Sequence, residues 1–224
     1  MKLALFDLDG TLLPGDSDHA FGEFLVRLGW ADGTEFARRN DRFYVDYQNG
    51  RLDIAEYIEF ITAPWRTRPL AEADAASHRF IEEIIRPMLR PAAFELIERH
   101  RRAGDLLAIV TATNDFVTRP IARLFEVPHL IATELERDDT GRATGAIRGV
   151  PSYREGKVAR VSSWLTHESG GGAFEACERS VFYSDSTNDL PLLERVSDPV
   201  ATNPSPALER IARERGWPVL QLFA

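Results

Sequence analysis

The chain has almost no cysteine. Among its 224 residues only Cys177 carries a thiol, which excludes an intrachain disulfide and a cysteine metal cluster. Cys177 itself reads as a small, partly buried filler. Basic charge is also short. Lys and Arg number 27 against 35 Asp and Glu, for a formal net charge of -8. No segment carries a basic stripe, so a nucleic-acid partner is not expected. No apolar run approaches the roughly 20 residues that span a bilayer, and a membrane partner is not expected either. The opening Met1-Lys2-Leu3-Ala4-Leu5-Phe6 turns acidic before it reaches the length of a signal peptide. The expectation is a soluble, cytoplasmic protein of open oligomeric state. Apolar residues are not scarce: a hydrophobic share of 44% supplies a core for one large domain or two modest ones.

Short apolar runs mark strands at Lys2–Phe6, Leu106–Val110, His129–Thr133 and Val181–Ser184, with short edge strands at 199–201 and 219–220. Helical patterns separate them at 91–102, 116–125, 158–165, 190–196 and 206–215. The alternation predicts an α/β fold: a doubly wound, Rossmann-like parallel sheet with helices on both faces. Residues 138–147 read as a hairpin excursion, and Gly170-Gly171-Gly172 as a surface loop. One long stretch shows no strand. Phe21, Phe24, Leu25 and Leu28 repeat at helical spacing, as do Ile54, Tyr57, Ile58 and Ile61, with Pro64 and Pro69 as interruptions. The predicted organisation is an α/β core of residues 1–14 and 89–224 with an all-helical cap domain, 15–88, inserted into it.

Four groups carry chemistry. Asp7-Leu8-Asp9-Gly10-Thr11 places two carboxylates on one side of a strand end, where ligands bind in open parallel sheets. Two like charges so close need a cation or a shared proton, and Mg²⁺ suits oxygen ligands; an acidic turn is the plain alternative. Tyr183-Ser184-Asp185-Ser186-Thr187-Asn188-Asp189 is a second acidic strand end, in which helix capping would also explain Asp185 or Ser186. Thr111-Ala112-Thr113-Asn114 offers a hydroxyl and backbone N–H groups for an anion, or an ordinary helix N-cap. Lys157 stands alone on a helix, where a lysine is commonly solvated. Gly156-Lys157 is not a P-loop, because Val158 and Pro151 occupy positions that motif reserves for Ser/Thr and Gly.

Taken in order, the acidic pair, the hydroxyl, the lysine and the second acidic group resemble the four motifs of the haloacid dehalogenase superfamily of phosphohydrolases. Asp7 and Asp9 match its Asp-x-Asp-Gly-Thr motif, Thr111 the second motif, Lys157 the third, and Asp185 with Asp189 the fourth. Ser184 departs from the glycine usual before Asp185. The helical insert after the first motif resembles the cap of phosphoserine phosphatase and its relatives. The resemblance implies a Mg²⁺-dependent phosphatase acting on a small phosphomonoester. Asp7 would be the nucleophile that becomes an aspartyl-phosphate, and Asp9 the general acid and base. Thr111 and the backbone at Ala112 would hold phosphate, and Lys157 would offset charge at Asp7. The metal would be held by Asp7, the Asp9 carbonyl and Asp185, with Asn188 and Asp189 behind them. Asp16 occupies the position of the glutamate that meets the substrate amine in phosphoserine phosphatases. Asp16, and Asp18 beside it, are therefore expected to contact substrate; an N-capped polar linker is the alternative.

No cap arginine is evident for a substrate carboxylate, although Arg42 and Arg51 are available. Acidic groups near Tyr44, Tyr47, Tyr57 and Trp65 suit an amine-bearing ester without a carboxylate, such as histidinol phosphate, while helical packing also explains the aromatics. The five histidines have no metal-ligand spacing and receive no role. The Arg99-His100-Arg101-Arg102 run reads as a solvated helix end. A phosphotransferase uses the same intermediate and stays open. A phospho-accepting signalling module fits poorly, because its acidic pair and phosphoacceptor lie on different strands.

Overall fold

The computed structural model describes residues 1–167 and 173–223; the Gly170-Gly171-Gly172 loop lies outside them. Strand β1 (Lys2–Phe6) leads into helices α1 (Ser17–Arg27), α2 (Glu35–Gln48), α3 (Ile54–Arg66) and α4 (Leu70–Phe80). Helix α4 continues through a π-helical stretch, Ile81–Ile85, into the short α5 (Arg86–Met88). Helix α6 (Pro91–Arg102), β2 (Leu106–Asn114), α7 (Asp115–Leu124) and β3 (His129–Thr133) follow. Strands β4 (Leu135–Arg137) and β5 (Ala143–Ile147) pair as an antiparallel hairpin. The chain closes with α8 (Glu155–His167), β6 (Arg179–Ser184), α9 (Leu190–Leu193), β7 (Asp198–Thr202), α10 (Pro206–Arg215) and β8 (Val219–Leu220). No described helix is long and apolar enough to cross a membrane.

The main sheet runs β3-β2-β1-β6-β7-β8, every neighbouring pair parallel. From central β1 the chain first builds outward through β2 and β3, then returns to the other side at β6. Strand order therefore reverses between β1 and β6, and the carboxyl ends beside that point form the crevice of a doubly wound sheet. Leu5 stands opposite Ala108 of β2 and Phe182 of β6, and β2 continues beyond the ends of β1 and β6. Alternate residues of β1 part to opposite faces. Ala4 and Phe6 join a cluster with Leu96, Ile97, Val117 and Ile121 of α6 and α7. Leu3 and Leu5 join Val161, Leu165, Leu192 and Leu208 of α8, α9 and α10.

The stretch between β1 and β2 is helical because its apolar residues recur every three to four positions and bury one stripe per helix. Phe21, Phe24 and Leu25 do so on α1, and Tyr57, Ile58, Ile61 and Trp65 on α3. These side chains belong to the same apolar cluster as Phe6 and Val117. The contact is direct, because the Trp65 ring stacks on Phe116 of α7 at 4.1 Å. With about 1.5–3 kcal/mol for each large apolar side chain buried, this cluster fixes the insert against the sheet layer.

Local departures from the sequence reading have identifiable causes. Pro64 does not interrupt its helix: it lies in the last turn of α3, where a missing N–H removes one hydrogen bond only. Pro69 does precede a helix, as the N-cap of α4. Strand β2 runs past Val110 to Asn114 through a register shift, which turns and continuing hydrophobicity did not signal. The helix after Leu190 is a single turn. His100 is no solvated helix end. It faces inward on α6, with Nδ1 2.6 Å from Asp105 Oδ2 and Nε2 2.8 Å from the Tyr183 hydroxyl.

One amide closes the sheet end. Asn203 follows β7 with φ of 44°, a left-handed conformation that asparagine tolerates. Its Nδ2 donates to Gly10 O (3.0 Å) and Thr11 O (3.2 Å), and its Oδ1 accepts from Leu222 N (2.6 Å). The loop after β1 is thereby tied to the C-terminal segment. Asn203→Ala should lower unfolding free energy by about 2–3 kcal/mol in urea denaturation, through unpaired backbone groups and a strained φ. Asn203→Gly, free of the φ strain, should lose less; equal losses would remove the strain contribution.

Candidate active site

The Asp7 N–H donates to Tyr183 O at 2.9 Å, carrying the β1–β6 ladder one residue past the strand. The Leu8 carbonyl then accepts from Thr11, Leu12 and Leu13 N–H groups, which winds the chain into a tight turn. Gly10 makes that turn with φ of 74°. A Cβ there would stand 2.3 Å from Asp185 Oδ2, so only glycine lets the two acidic strand ends close on each other.

Lys157 reaches this point from α8 and is fully buried, which excludes the solvated alternative. Its Nζ lies 2.8 Å from Asp7 Oδ1 and 2.7 Å from Asp189 Oδ1. Asp189 is held in turn by the Ser184 hydroxyl, which donates at 2.7 Å. The serine that replaces the expected glycine therefore adds a hydrogen bond to the lysine's partner. Asp9 accepts from Ser17 N at 2.6 Å and from the Thr113 hydroxyl at 2.9 Å. Thr111 is buried at the end of β2, and its Oγ1 accepts from Thr113 N. The N-cap reading of this group holds at its last residue, because Asn114 caps α7 through Val117 N, and leaves Thr111 free of that task. Asp185 receives one side-chain hydrogen bond among the described residues, from Thr11 Oγ1 at 3.3 Å.

Residues of the insert complete the crevice. Asp16 is the N-cap of α1, accepting from His19 N at 2.7 Å, and it also lines the cavity in front of Asp7 and Asp9. The capping and site readings of Asp16 thus coexist. Asp18 is buried, accepts from Asn114 Nδ2 at 3.2 Å and is hydrogen-bonded by the Tyr57 hydroxyl. Asn188 does not face the cavity. Its Nδ2 donates to Tyr47 O at 2.8 Å, joining the acidic loop to the end of α2. The cavity, about 40 Å³, has Asp7, Asp9, Thr111 and Ala112 on its sheet side. Asp16, Asp18, Asn40, Tyr44, Tyr47 and Tyr57 stand on its other side. No arginine or lysine is among its described lining residues. Arg42 and Arg51 pair with Asp46 near the surface instead.

Negative charge exceeds positive charge here, and the protonation equilibria register it. Burial raises the Asp7 carboxyl to about 7 against the opposing pull of Lys157. Burial likewise raises Asp9 to about 7, with Asp16 adding repulsion and Ser17 and Thr113 opposing it. Asp16, Asp18 and Asp185 are all displaced upward by burial, and Asp7 and Asp189 add to the shift of Asp185. Burial alone would favour the neutral Lys157 amine, but Asp189 and Asp7 outweigh it and keep the amine charged.

The donor set fits a divalent cation of the magnesium type. No group of three or more Asp, Glu, His or Cys side chains among the described residues is arranged as a metal cage. Mg²⁺ does not require one: it is commonly held by one or two carboxylates, with water and substrate phosphate completing the octahedron. Asp7, and Asp185 across Gly10 with no salt bridge to a cation among the described residues, could supply those carboxylates, and the Asp9 carbonyl a third oxygen.

Several participants escaped the sequence reading. Thr113 lies two residues past Thr111 on the same strand, and that spacing could have found it. Ser184 looked like a mild departure. Asn40 and His19 lie on amphipathic helices, where packing hides their place at the cavity.

A model of the haloacid dehalogenase-like hydrolase family matches residues 4–194. The chain is 43% identical over 219 residues, 98% of each chain, to a histidinol-phosphatase of Neisseria meningitidis serogroup C (strain 8013). It is 31% identical over 219 residues to a phosphoserine phosphatase of Mycobacterium tuberculosis (strain ATCC 25618 / H37Rv), covering 96% of this chain and 69% of that one. Among solved structures, a protein of unknown function from Bordetella pertussis Tohama I superposes with a TM-score of 0.92 at 50% identity, over 99% of each chain. A substrate-bound phosphoserine phosphatase superposes with a TM-score of 0.69 at 17% identity, covering 98% of this chain and 92% of that one; this likeness concerns the fold.

The charge imbalance has a measurable sign. A carboxyl whose pKa rises on folding contributes stability below its unfolded value, and that contribution is lost as pH rises through the folded value. Asp7 and Asp9, raised from 3.8 to about 7, should make the EDTA-treated protein lose several degrees of Tm between pH 4 and pH 7. Millimolar Mg²⁺ should recover part of this loss at pH 7. A Tm that rises across this window in EDTA would contradict the assignment.

Proposed function

The chain belongs to the haloacid dehalogenase-like hydrolase family and is a phosphatase; we propose that it is Mg²⁺-dependent and hydrolyses a small amine-bearing phosphomonoester, histidinol phosphate foremost. One observation carries the substrate class: the wall opposite the nucleophile sets Asp16 and Asp18 among aromatic side chains, with His19, Asn40, Leu52 and Ile54 beside them, and without an arginine or lysine. Such a wall favours a cationic group and rejects a carboxylate, which would be desolvated against Asp16 and Asp18. The 43% identity to a histidinol-phosphatase over 98% of both chains supports the same reading.

In the proposed mechanism Asp7 attacks phosphorus in line. The bond from its carboxylate oxygen to phosphorus forms as the ester P–O bond breaks. Asp9 gives its proton to the departing alkoxide, then takes one from the water that hydrolyses the aspartyl-phosphate. A carboxyl poised near 7 suits both directions at neutral pH. The Ser17 N–H and Thr113 hydroxyl hold Asp9 in place. Lys157, oriented by Asp189, holds Asp7 in place and opposes the burial that raises its carboxyl to about 7, favouring the ionised form that attacks. Thr111 and the Ala112 N–H bind phosphoryl oxygens. Asp7, Asp185 and the Asp9 carbonyl would hold Mg²⁺, which when bound neutralises charge on the phosphoryl oxygens. The helical insert, residues 15–88, acts as the cap that selects the alcohol portion of the ester.

Phosphate release should be measured from histidinol phosphate, phosphoserine and a sugar phosphate, with Mg²⁺ and with EDTA. Histidinol phosphate should be favoured over the other two by about 10-fold or more in kcat/KM. EDTA should abolish release, and Asp7→Asn should lower kcat on the order of 10³-fold or more. Metal-independent turnover, or phosphoserine as the better substrate, would overturn the corresponding part of the proposal.

A further inference from the structure

Asn40 lies on α2, is 2% exposed and lines the cavity beside Asp16 and Asp18. Its Nδ2 donates to the His19 carbonyl at 2.9 Å. That bond fixes which way the amide points, because two oxygens cannot face each other there. Its Oδ1 is buried and accepts from no described group. A buried acceptor without a donor is rare in folded proteins and calls for a partner. The placement is enforced from the other side by Gly22 of α1. A Cβ at Gly22 would stand 2.5 Å from Asn40 Nδ2 and 2.6 Å from Oδ1, so the bare glycine lets the amide lie against α1 at the cavity edge. Asp18, beside it, is held by Asn114 and Tyr57, and Asp16 by His19 N. All three acceptors therefore have fixed positions before any ligand arrives.

We propose that Asn40 is a specificity-determining residue, whose amide oxygen accepts an N–H of the substrate's ammonium group while Asp16 and Asp18 offset its charge. The inference rests on the amine-bearing substrate proposed above and adds to it a neutral acceptor. An ammonium has several N–H donors in a tetrahedral array; carboxylates supply charge, and the amide oxygen supplies a directed third acceptor. A hydroxyl at the same place would gain one weaker bond and leave the carboxylates uncompensated, so the set discriminates amine from alcohol.

The test compares histidinol phosphate with its deamino analogue on wild-type enzyme, Asn40→Ala and Gly22→Ala, recording kcat, KM and Tm for each. In wild type the amine should favour histidinol phosphate strongly. Asn40→Ala should reduce that preference about 10- to 100-fold, the range of a hydrogen bond to a charged group, with the loss in KM rather than kcat. Gly22→Ala, which displaces the amide without removing it, should reduce the preference in the same direction and serves if Asn40→Ala does not fold. Equal losses for the two esters would assign Asn40 a packing role and overturn the inference, as would an unaltered preference in both variants. A wild type that turns over both esters equally would instead overturn the amine reading itself, and Asn40's role with it.

Discussion

The contact on which the rest depends is the buried Lys157 ammonium between Asp7 and Asp189, 2.8 and 2.7 Å away. Lys157 is the only buried Lys or Arg among the described residues. Around it converge Asp9, Asp16, Asp18 and Asp185, none of which it can neutralise as well. A buried ion pair of this kind contributes little net stability, because desolvation offsets attraction. Its value lies in geometry: it fixes one carboxyl at the strand end, opposing the burial that raises it, and leaves the others short of positive charge. That shortage is what a cation bound on the sheet side and a cationic substrate on the opposite side would relieve.

The topology explains how so much like charge can be gathered. Asp7 and Asp185 follow β1 and β6, and Thr111 lies within β2 at nearly the same level of these three adjacent parallel strands. Backbone pairing fixes those positions whatever the side chains prefer. Gly10 then removes the one Cβ that would hold the Asp7 and Asp185 loops apart, and Asn203 anchors the same loop from β7. The unfavourable electrostatics are thus carried by the two apolar clusters on the sheet faces, which outweigh them.

The sheet side of the site was legible because each residue sits in a short linear pattern: an apolar run, then a carboxylate, hydroxyl or acidic cluster. Asp7, Asp9, Thr111, Asp185 and Asp189 all follow that rule, and Lys157 came from its order among them. The insert side was much less legible. Asp16 and Asp18 stood out because they directly follow the first motif. Asn40 did not, since on amphipathic helices the residues facing a cavity have the same period as those facing the core. Asn40 meets His19 across two helices, and Thr113 meets Asp9 from 104 positions away; no local pattern encodes such pairings. The end of β2 was missed for a related reason. Its Thr-Ala-Thr-Asn residues have turn chemistry, and they continue the strand only because β3 pairs with them after a register shift.

The packing of the helical stretch between β1 and β2 ties it to the sheet layer at two kinds of contact. Its apolar stripe is continuous with the sheet's own cluster through Trp65, Phe21 and Phe116. Its polar edge meets the end of β2 and the segment after β6 directly, at Asn114 with Asp18 and at Asn188 with Tyr47. Asn114 is also the N-cap of α7, just beyond Thr111. The same amide that begins the helix after Thr111 therefore steadies the carboxylate on the opposite wall. A displacement of Asp18 is mechanically linked to the strand end that would hold phosphate, and Asn188 links α2 to the loop carrying Asp185 and Asp189. Substrate discrimination in such an arrangement need not reside in binding alone: a poorly accommodated group on the acidic wall would disturb the positions of the groups that perform the chemistry.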